Sequence, residues 1–379
     1  MAVPGEMILD DAISFTRRHL EATKGKLTSS IKEQVSRALE IPLPQFMRQL
    51  ETMHYITEYE KEEPQDVMML ELSMINLDLL RSVHLRELKD LSLWWRDLYD
   101  SVKLTYCRDR IVESYFYSFG VFHGEESSAA RIILTKVFGL LVLIDDTFDV
   151  RATFEESQML DDALQRWDES MVSLLPEYLR MFNIKTLSNF KEIEDSLEPY
   201  EKYRMAYVIK EAKWFNENCT PSFKENLDVS LMATGLPLLF FTALMGAGQV
   251  ISNEAFEWAL KMPDIFYANI EVGRFLNDIA SYKQGKCEKD VASTVECYMK
   301  EHGTTGEEAM AAIAGMVEHA WRINRAFIEV KPAVEPVVQC LLNTTRVLEA
   351  YYLHGRDGLT YGRDLKELIT FLFLKDVHV

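Results

Sequence analysis

Apolar residues recur every three or four positions along most of the chain, which is the spacing of one face of an α-helix. In the segment 29–40, "SSIKEQVSRALE", Ile31, Val35 and Leu39 lie on one such face. The segment 69–98 continues the same spacing over a longer run. Sustained alternation of apolar and polar residues between Asn-Gly or Asp-Gly turns, the pattern of β-hairpins, does not occur in the sequence. The pattern therefore predicts an all-α protein.

Proline, glycine and charged residues interrupt this helical spacing. The charged stretch 55–66, "YITEYEKEEPQD", is a soft boundary between two helical regions. In the apolar stretch 233–239, "ATGLPLL", Gly235 and Pro237 predict a break within a helix that frees backbone carbonyls. A plain loop between two helices is the alternative interpretation of that stretch.

The apolar run in 140–150, "LLVLIDDTFDV", ends in Asp145, Asp146 and Asp149. Asp145 and Asp149 are four residues apart, so on a helix they share a face about 6 Å apart along the axis. One interpretation is a solvated helix end. The other is a divalent-cation site, because oxygen ligands without His or Cys suit Mg²⁺ or Mn²⁺.

A second group of oxygen-bearing side chains occurs in 271–290, "EVGRFLNDIASYKQGKCEKD". Asn277, Ser281 and Gly285 recur every four residues on one predicted helix face, and Arg274 lies on the same face. A cation beside the ligands of a metal ion is explained if an anion such as diphosphate bridges the two. A surface ion pair is the alternative explanation for this arginine.

The net charge of −19 disfavours a nucleic-acid partner, because phosphate backbones are bound by a surplus of Lys and Arg. It leaves open a small anionic substrate that needs only a local basic pocket. The "CRDR" stretch offers Arg108 and Arg110 for that purpose, with surface ion pairs again as the alternative.

The five cysteines are scattered and form no CxxC pair, which indicates reduced thiols. We find no apolar run of the roughly 18 residues that span a membrane. The first residues resemble neither a signal peptide nor a transit peptide. These features predict a cytoplasmic protein without stable membrane insertion, and we expect a monomer.

Several motifs resemble those of the plant terpene synthases with class I, ionisation-initiated chemistry, in the sesquiterpene synthase clade. They are "DDTFD", "QRWD" (165–168) and "RFLNDIASYK", together with "YCRDRIVESYFYSFGVF" (106–122) and "LPEYLR" (175–180). They occur in the family's order, and the resemblance covers nearly the whole chain.

The resemblance implies a catalytic, metal-binding α domain over 59–379. Residues 1–58 would be the remnant helices of the family's N-terminal domain, so the chain is expected to be an N-terminally shortened member. The implied activity is that of a lyase that ionises a prenyl diphosphate, farnesyl diphosphate above all, with monoterpene activity as an addition. Three Mg²⁺ ions are implied as cofactors, with Mn²⁺ as a substitute.

Position by position, the resemblance assigns Asp145 and Asp149 to Mg²⁺, with Asp146 in support. It assigns Asn277 and Ser281 to the second metal motif. The arginines that it assigns to the diphosphate are Arg108, Arg110 and Arg274. The aromatic residues that we consider for the pocket wall are Phe116, Tyr117, Tyr267, Tyr352 and Tyr361, for each of which ordinary core packing is the alternative.

The sequence departs from the family pattern at Gly285, where the family has Glu. Glu288, one turn further on, and Asp278 are the two residues that could substitute as ligands. This departure motivates an alternative hypothesis, a relative that binds prenyl diphosphate without efficient turnover. A prenyl-chain elongating enzyme is disfavoured, because it would carry a second DDxxD motif in place of "NDIAS".

Overall fold

The computed structural model describes residues 2–61, 65–197, 231, 234–285, 293–327 and 331–375. Every regular element among these residues is a helix, so the all-α prediction is confirmed for the described part of the chain. The α-helices are α1 (Met7–Thr23), α2 (Ser29–Glu40), α3 (Arg48–Tyr59), α4 (Val67–Val102), α5 (Ile111–Val121), α6 (Ser128–Asp146), α7 (Phe154–Arg166), α8 (Glu177–Ser196), α9 (Leu236–Gly246), α10 (Asn253–Ala259), α11 (Asp264–Gln284), α12 (Thr294–His302), α13 (Gly306–Ala326), α14 (Glu335–Tyr351), α15 (Gly358–Tyr361) and α16 (Arg363–Phe373).

Five short 3₁₀ helices and one π-helical turn complete the described elements. The 3₁₀ helices are Lys24–Lys26, Glu125–Ser127, Glu169–Leu174, Gly248–Val250 and Leu353–Gly355. The π-turn, Thr147–Arg151, directly follows α6.

Two compact units divide the chain, one made of 1–82 with 257–379 and the other of 83–256. These are units of spatial contact, and the predicted domain division between residues 58 and 59 stays a prediction. Each unit is built around one long helix that is buried on several sides.

Helix α6 is the central helix of the unit 83–256, where it packs against α5 and α9. Its last apolar turns, from Val137 to Ile144, are buried throughout. By length and composition alone, the stretch Glu125–Arg151 could cross a membrane, but 72% of its most apolar window is buried inside the protein. That degree of burial is typical of a core helix.

The chain is not helical at Thr234 and Gly235, where the sequence predicts a break. Residues 232 and 233 lie outside the described residues, so a break within a helix, as against a plain loop, stays a prediction. Gly235 has a φ of 71° and precedes the first turn of α9, in which Pro237 lies at a position that needs no backbone N–H. A left-handed φ is accessible to glycine without the steric penalty that other residues carry. Thr234 and Gly235 are therefore not helical, and α9 begins directly after them.

Helix α11 is the central helix of the other unit, where it packs against α13 and α14. The buried side-chain amide of Asn269 donates to the carbonyl of Leu341 at 2.7 Å and also bonds the hydroxyl of Thr345 at 2.5 Å, both on α14. Helix α13 starts with a capping box between Thr305 and Glu308, which satisfies backbone donors at its first turn.

A buried ion pair between Arg131 and Glu87 joins α6 to α4. The guanidinium donates to both carboxylate oxygens, at 2.8 and 2.7 Å, and also to the carbonyls of Phe122 and Gly124. The hydroxyl of Tyr115 donates to the same carboxylate at 2.8 Å. The Arg131 side chain is fully buried, so its charge depends on these partners.

We expect Arg131→Met to lower the free energy of unfolding by about 3–5 kcal/mol, because it leaves the Glu87 carboxylate buried without its cation. Chemical denaturation followed by circular dichroism measures the change. Arg356→Met is the control, since Arg356 is 65% exposed and lies 3.8 Å from its partner Asp364. The control should change stability by less than about 1 kcal/mol. A loss of that size in the Arg131 variant would contradict the assignment.

Helices α6 and α9 approach closely at Gly246. A Cβ on this glycine would lie 2.9 Å from the backbone Cα of Ala130, a distance that real Cβ contacts essentially never show. Gly315, which is exposed within α13, has no atom within 4 Å of the corresponding point. An added methyl group would therefore clash at Gly246 and would meet no other atom at Gly315.

Gly246→Ala is expected to destabilise the protein by about 1–3 kcal/mol through overpacking against Ala130. Gly315→Ala is expected to stabilise it by about 0.5–1 kcal/mol, because alanine has the higher helix propensity. Thermal or urea unfolding of the two variants measures the difference. Stabilisation by Gly246→Ala would show that α6 and α9 are not in such close contact.

Candidate metal and diphosphate site

The first aspartate cluster lies where α6 changes into the π-turn. The backbone N–H of Ala152 donates to the carbonyl of Thr147 at 2.8 Å, a bond that spans five residues and not four. Asp145, in the last turn of α6, has 47% of its side chain exposed, and Asp149, within the π-turn, is exposed. The predicted spacing of these carboxylates thus crosses an α-to-π junction, a feature often found at functional sites.

Asp146 differs from its two neighbours, because its side chain is 1% exposed and is bonded to Arg108. Oδ1 accepts from Nε of Arg108 at 2.8 Å and lies 2.5 Å from Nη2. Oδ2 accepts from the backbone N–H of Arg108 at 2.6 Å. Both oxygens are occupied, so the geometry favours a role in holding Arg108 over direct metal ligation.

Arg108 also lies beside the carboxylate of Asp145. Its Nη2 is 3.6 Å from Oδ2 of Asp145, and its side chain is 28% exposed. Arg110, at the start of α5, lies 3.5 Å from Glu113, whose pKa is raised by burial. Both arginines of the "CRDR" stretch therefore have carboxylate partners in this structure.

The second cluster lies along α11. The side-chain N–H of Asn277 donates to the hydroxyl of Tyr352 at 3.1 Å, which directs the amide oxygen of Asn277 elsewhere. Burial raises the pKa of Tyr352, so this phenol stays protonated. Ser281 is partly buried one turn further along the helix. The amide oxygen of Asn277 and the hydroxyl oxygen of Ser281 are therefore the neutral candidate metal ligands on this face of α11.

Asp278 is the buried acid of this second cluster. Its carboxylate forms a two-pronged pair with Arg274, in which Nε lies 3.1 Å from Oδ2 and Nη2 lies 2.5 Å from Oδ1. Oδ2 also accepts from the backbone N–H of Thr294 at 2.8 Å and from the Thr294 hydroxyl. Asp278 is thereby fixed to its arginine, which weakens its candidacy as a substitute metal ligand.

Gly285 lies outside α11, which ends at Gln284. The predicted face of Asn277, Ser281 and Gly285 is therefore helical only for the first two residues. Gly285 has a φ of 81° and no atom within 4 Å of where a Cβ would stand. The glycine thus terminates the helix in a conformation that other residues rarely adopt. Glu288, the other predicted substitute, lies outside the described residues.

The aromatic candidates occupy different environments. Phe116 is fully buried, and Tyr117 is buried with its ring 5.1 Å from that of Phe138 in an edge-to-face arrangement. Tyr267 is 41% exposed and Tyr361 is 56% exposed. Contacts of any of these rings with a substrate stay a prediction.

The oxygen donors of each cluster, taken separately, fit Mg²⁺ by their chemistry. Asp145, Asp149, Asn277 and Ser281 offer hard oxygen atoms, which Mg²⁺ prefers to the nitrogen and sulfur ligands of zinc sites. Among the described residues, no group of three or more His, Cys, Asp and Glu side chains forms a metal cage by itself. Such an incomplete protein ligand set is usual for Mg²⁺, which keeps waters and binds substrate phosphates.

The profile of the "Terpene synthase family, metal binding domain" matches residues 96–323, which contain both clusters. The chain belongs to the terpene synthase family. The predicted resemblance, the class I helical fold and the enzyme class of terpene synthases are therefore confirmed.

Two relatives from Zea mays are similar over the whole chain. A eudesmanediol synthase is 54% identical, with all of this chain and 70% of that protein aligned. A tau-cadinol synthase is 44% identical, with 98% of this chain and 71% of that protein aligned. This family member therefore spans about 70% of the length of these relatives.

A solved structure of isoprene synthase from grey poplar leaves (Populus x canescens) is also similar. The TM-score is 0.86 and the sequence identity is 27%, with all of this chain and 75% of that chain covered. That enzyme was solved with three Mg²⁺ ions and dimethylallyl-S-thiolodiphosphate.

Sequence reasoning missed two features of the site. It gave Asp146 a supporting place beside the metal ligands but not its burial or its bonds to Arg108, because the residue type alone does not reveal which carboxylates are buried. It also missed Thr294, whose two bonds fix Asp278. The Ser293–Glu296 capping box at the start of α12 was the available signal for an ordered backbone at that point.

The separate roles of Asp145 and Asp146 can be tested by measuring how each residue's removal changes the free energy of unfolding. Asp146→Ala should lower the free energy of unfolding by about 2–3 kcal/mol, because it removes the buried partner of Arg108. Asp145→Ala should change it by less than about 1 kcal/mol, since that carboxylate is about half exposed. Urea denaturation without Mg²⁺ measures both variants. Equal losses would contradict the distinction between the two acids.

Proposed function

We propose that this chain is a Mg²⁺-dependent sesquiterpene synthase that ionises farnesyl diphosphate and releases diphosphate. The observation that carries this proposal is the contrast within the first cluster. Asp145, in the last turn of α6, and Asp149, in the π-turn, have exposed carboxylates, while the buried Asp146 holds Arg108 beside Asp145. The named products of the two Zea mays relatives, eudesmanediol and tau-cadinol, support the choice of substrate class.

In this proposal Asp145 and Asp149 bind Mg²⁺, as do the oxygens of Asn277 and Ser281. The bound ions supply Lewis-acid stabilisation for the negative charge of the departing diphosphate. Arg108, Arg110 and Arg274 donate charge-assisted hydrogen bonds to that same charge.

The carboxylates of Asp146 and Asp278 orient two of these arginines before substrate arrives. Preorganised donors are more effective than mobile ones, because no reorganisation is needed as charge develops. Buried aromatic rings such as those of Tyr117 and Phe138 would stabilise the carbocation through their electron-rich faces. The surrounding apolar side chains would keep water away from it.

Gly285 favours one competing function, a relative that binds prenyl diphosphate without efficient turnover. At this position the family pattern has Glu, whereas glycine has no side chain to ligate a metal. The positive φ of Gly285 is also one that other residues rarely adopt. Binding of diphosphate with Mg²⁺ but without product would support this alternative. Location in the cytosol and a monomeric state stay predictions.

The assay that tests the proposal incubates purified protein with Mg²⁺ and separately with C10, C15 and C20 prenyl diphosphates. We expect sesquiterpene products, including alcohols, from the C15 substrate, and none after chelation of Mg²⁺ with EDTA. Gas chromatography of the volatiles and a diphosphate-release assay measure the outcome. Failure to convert any of the substrates would contradict the proposed function.

Asp145→Ala is expected to lower kcat/KM by at least about 10²-fold, since it removes a metal ligand from the reacting charge. The matched control is Asp195→Ala, which removes an exposed acid from α8 in the same unit. The control should retain wild-type activity. Full activity in the Asp145 variant would overturn the assignment of the metal site.

A further inference from the structure

Three consecutive residues of the loop before α5 bond to the last turn of α6 and to the π-turn. Tyr106 contacts Thr147 through its hydroxyl, Cys107 directs its thiol at the carbonyl of Leu143, and Arg108 holds Asp146. Arg108 has an evident role beside the carboxylates, whereas the mechanism proposed above leaves Tyr106 without one.

The hydroxyl pair of Tyr106 and Thr147 has a defined direction. Thr147 donates its single hydroxyl hydrogen to the carbonyl of Leu143 at 2.6 Å. The 3.1 Å contact between the two hydroxyl groups is therefore a bond that Tyr106 donates to Thr147. Burial raises the pKa of Tyr106 to about 12, so the donated hydrogen is present at neutral pH.

Thr147 is the residue at which the helix changes its hydrogen-bonding pattern. It is fully buried, its hydroxyl bonds back to Leu143 four residues earlier, and its carbonyl accepts from Ala152 five residues later. Threonines that bond back in this way bend helices. Thr147 therefore lies at the junction between the last turn of α6, which carries Asp145, and the π-turn, which carries Asp149.

Aromatic packing fixes Tyr106 from its other side. Its ring lies 6.3 Å from that of Tyr178 in an edge-to-face arrangement, and Arg151, the last residue of the π-turn, lies over the Tyr178 ring at 5.6 Å. The Tyr178 hydroxyl donates to Glu156 at 3.1 Å, outside the aspartate cluster. Tyr106 thus bridges the Arg108 loop and the π-turn.

We propose that Tyr106 and Thr147 are positioning residues, whose hydroxyl bond fixes the π-turn so that Asp145 and Asp149 bind one metal–diphosphate group. This inference rests on the proposed function, because it assigns the two carboxylates to Mg²⁺. Residues that orient metal ligands typically contribute a factor of about 10–100 to metal affinity. Neither residue touches the substrate in this account.

The test measures Mn²⁺ binding by electron paramagnetic resonance in the presence of inorganic diphosphate. We expect Tyr106→Phe to weaken Mn²⁺ binding about tenfold and Thr147→Val to weaken it at least as much. Thr147→Ser, which restores the hydroxyl, should recover most of the affinity. Tyr178→Phe, the control, removes a neighbouring phenol hydroxyl that bonds Glu156 and not Thr147, and should stay within about twofold of the wild type.

Hydrogen exchange of the Ala152 amide gives a readout that needs no metal. We expect it to exchange about tenfold faster in Tyr106→Phe, because its acceptor on Thr147 is less firmly held. Melting temperatures of all variants separate this local effect from general loss of stability, which would speed exchange throughout the unit.

The outcomes distinguish this inference from the proposed function. A wild-type protein that binds no Mn²⁺ would overturn both. If the wild type binds Mn²⁺ in a manner that Asp145→Ala abolishes, but Tyr106→Phe stays within twofold, only the positioning role is overturned. An equal loss in Tyr178→Phe would overturn it as well, because it would show that any change in this aromatic cluster has the same effect.

Discussion

A buried carboxylate at the end of an apolar helix is stable as an anion only if a cation and hydrogen bonds compensate for its lost hydration. Asp146 meets this requirement through Arg108, which binds its Oδ1 with the guanidinium and its Oδ2 with the backbone N–H. The pair ties the loop before α5 to the end of the central helix α6. The same interaction holds the Arg108 guanidinium 3.6 Å from the half-exposed carboxylate of Asp145.

The unit containing α11 also has a buried aspartate whose charge is compensated by an arginine and by hydrogen bonds. Asp278 is buried, forms a two-pronged pair with Arg274 and accepts two further bonds from Thr294. In each unit a buried Asp is next in sequence to a candidate metal ligand, Asp145 or Asn277. In the proposed function, the buried acid orients an arginine that binds the diphosphate, and the neighbouring residue supplies an oxygen that binds the metal.

Periodicity predicted the all-α fold because helix faces are a local property of sequence, and the break at Gly235 followed from local backbone preferences. The two oxygen clusters were also evident from residue spacing, although Asp149 and Gly285 lie outside the α-helices on which that spacing placed them. The burial of Asp146 was not, because all three acids of "DDTFD" are alike until tertiary packing separates them. The π-turn and the end of α11 before Gly285 were missed for a related reason: both depend on backbone bonds that no spacing rule encodes.

The division of roles between adjacent residues is tested most directly by locating bound ions. A crystal soaked with Mn²⁺ and a non-reactive thiolodiphosphate analogue of the C15 substrate would show them in an anomalous difference map. The account predicts Mn²⁺ in contact with Asp145, Asp149, Asn277 and Ser281, while Asp146 and Asp278 remain paired with Arg108 and Arg274. Mn²⁺ bound directly to Asp146 or Asp278, with either arginine pair broken, would contradict it.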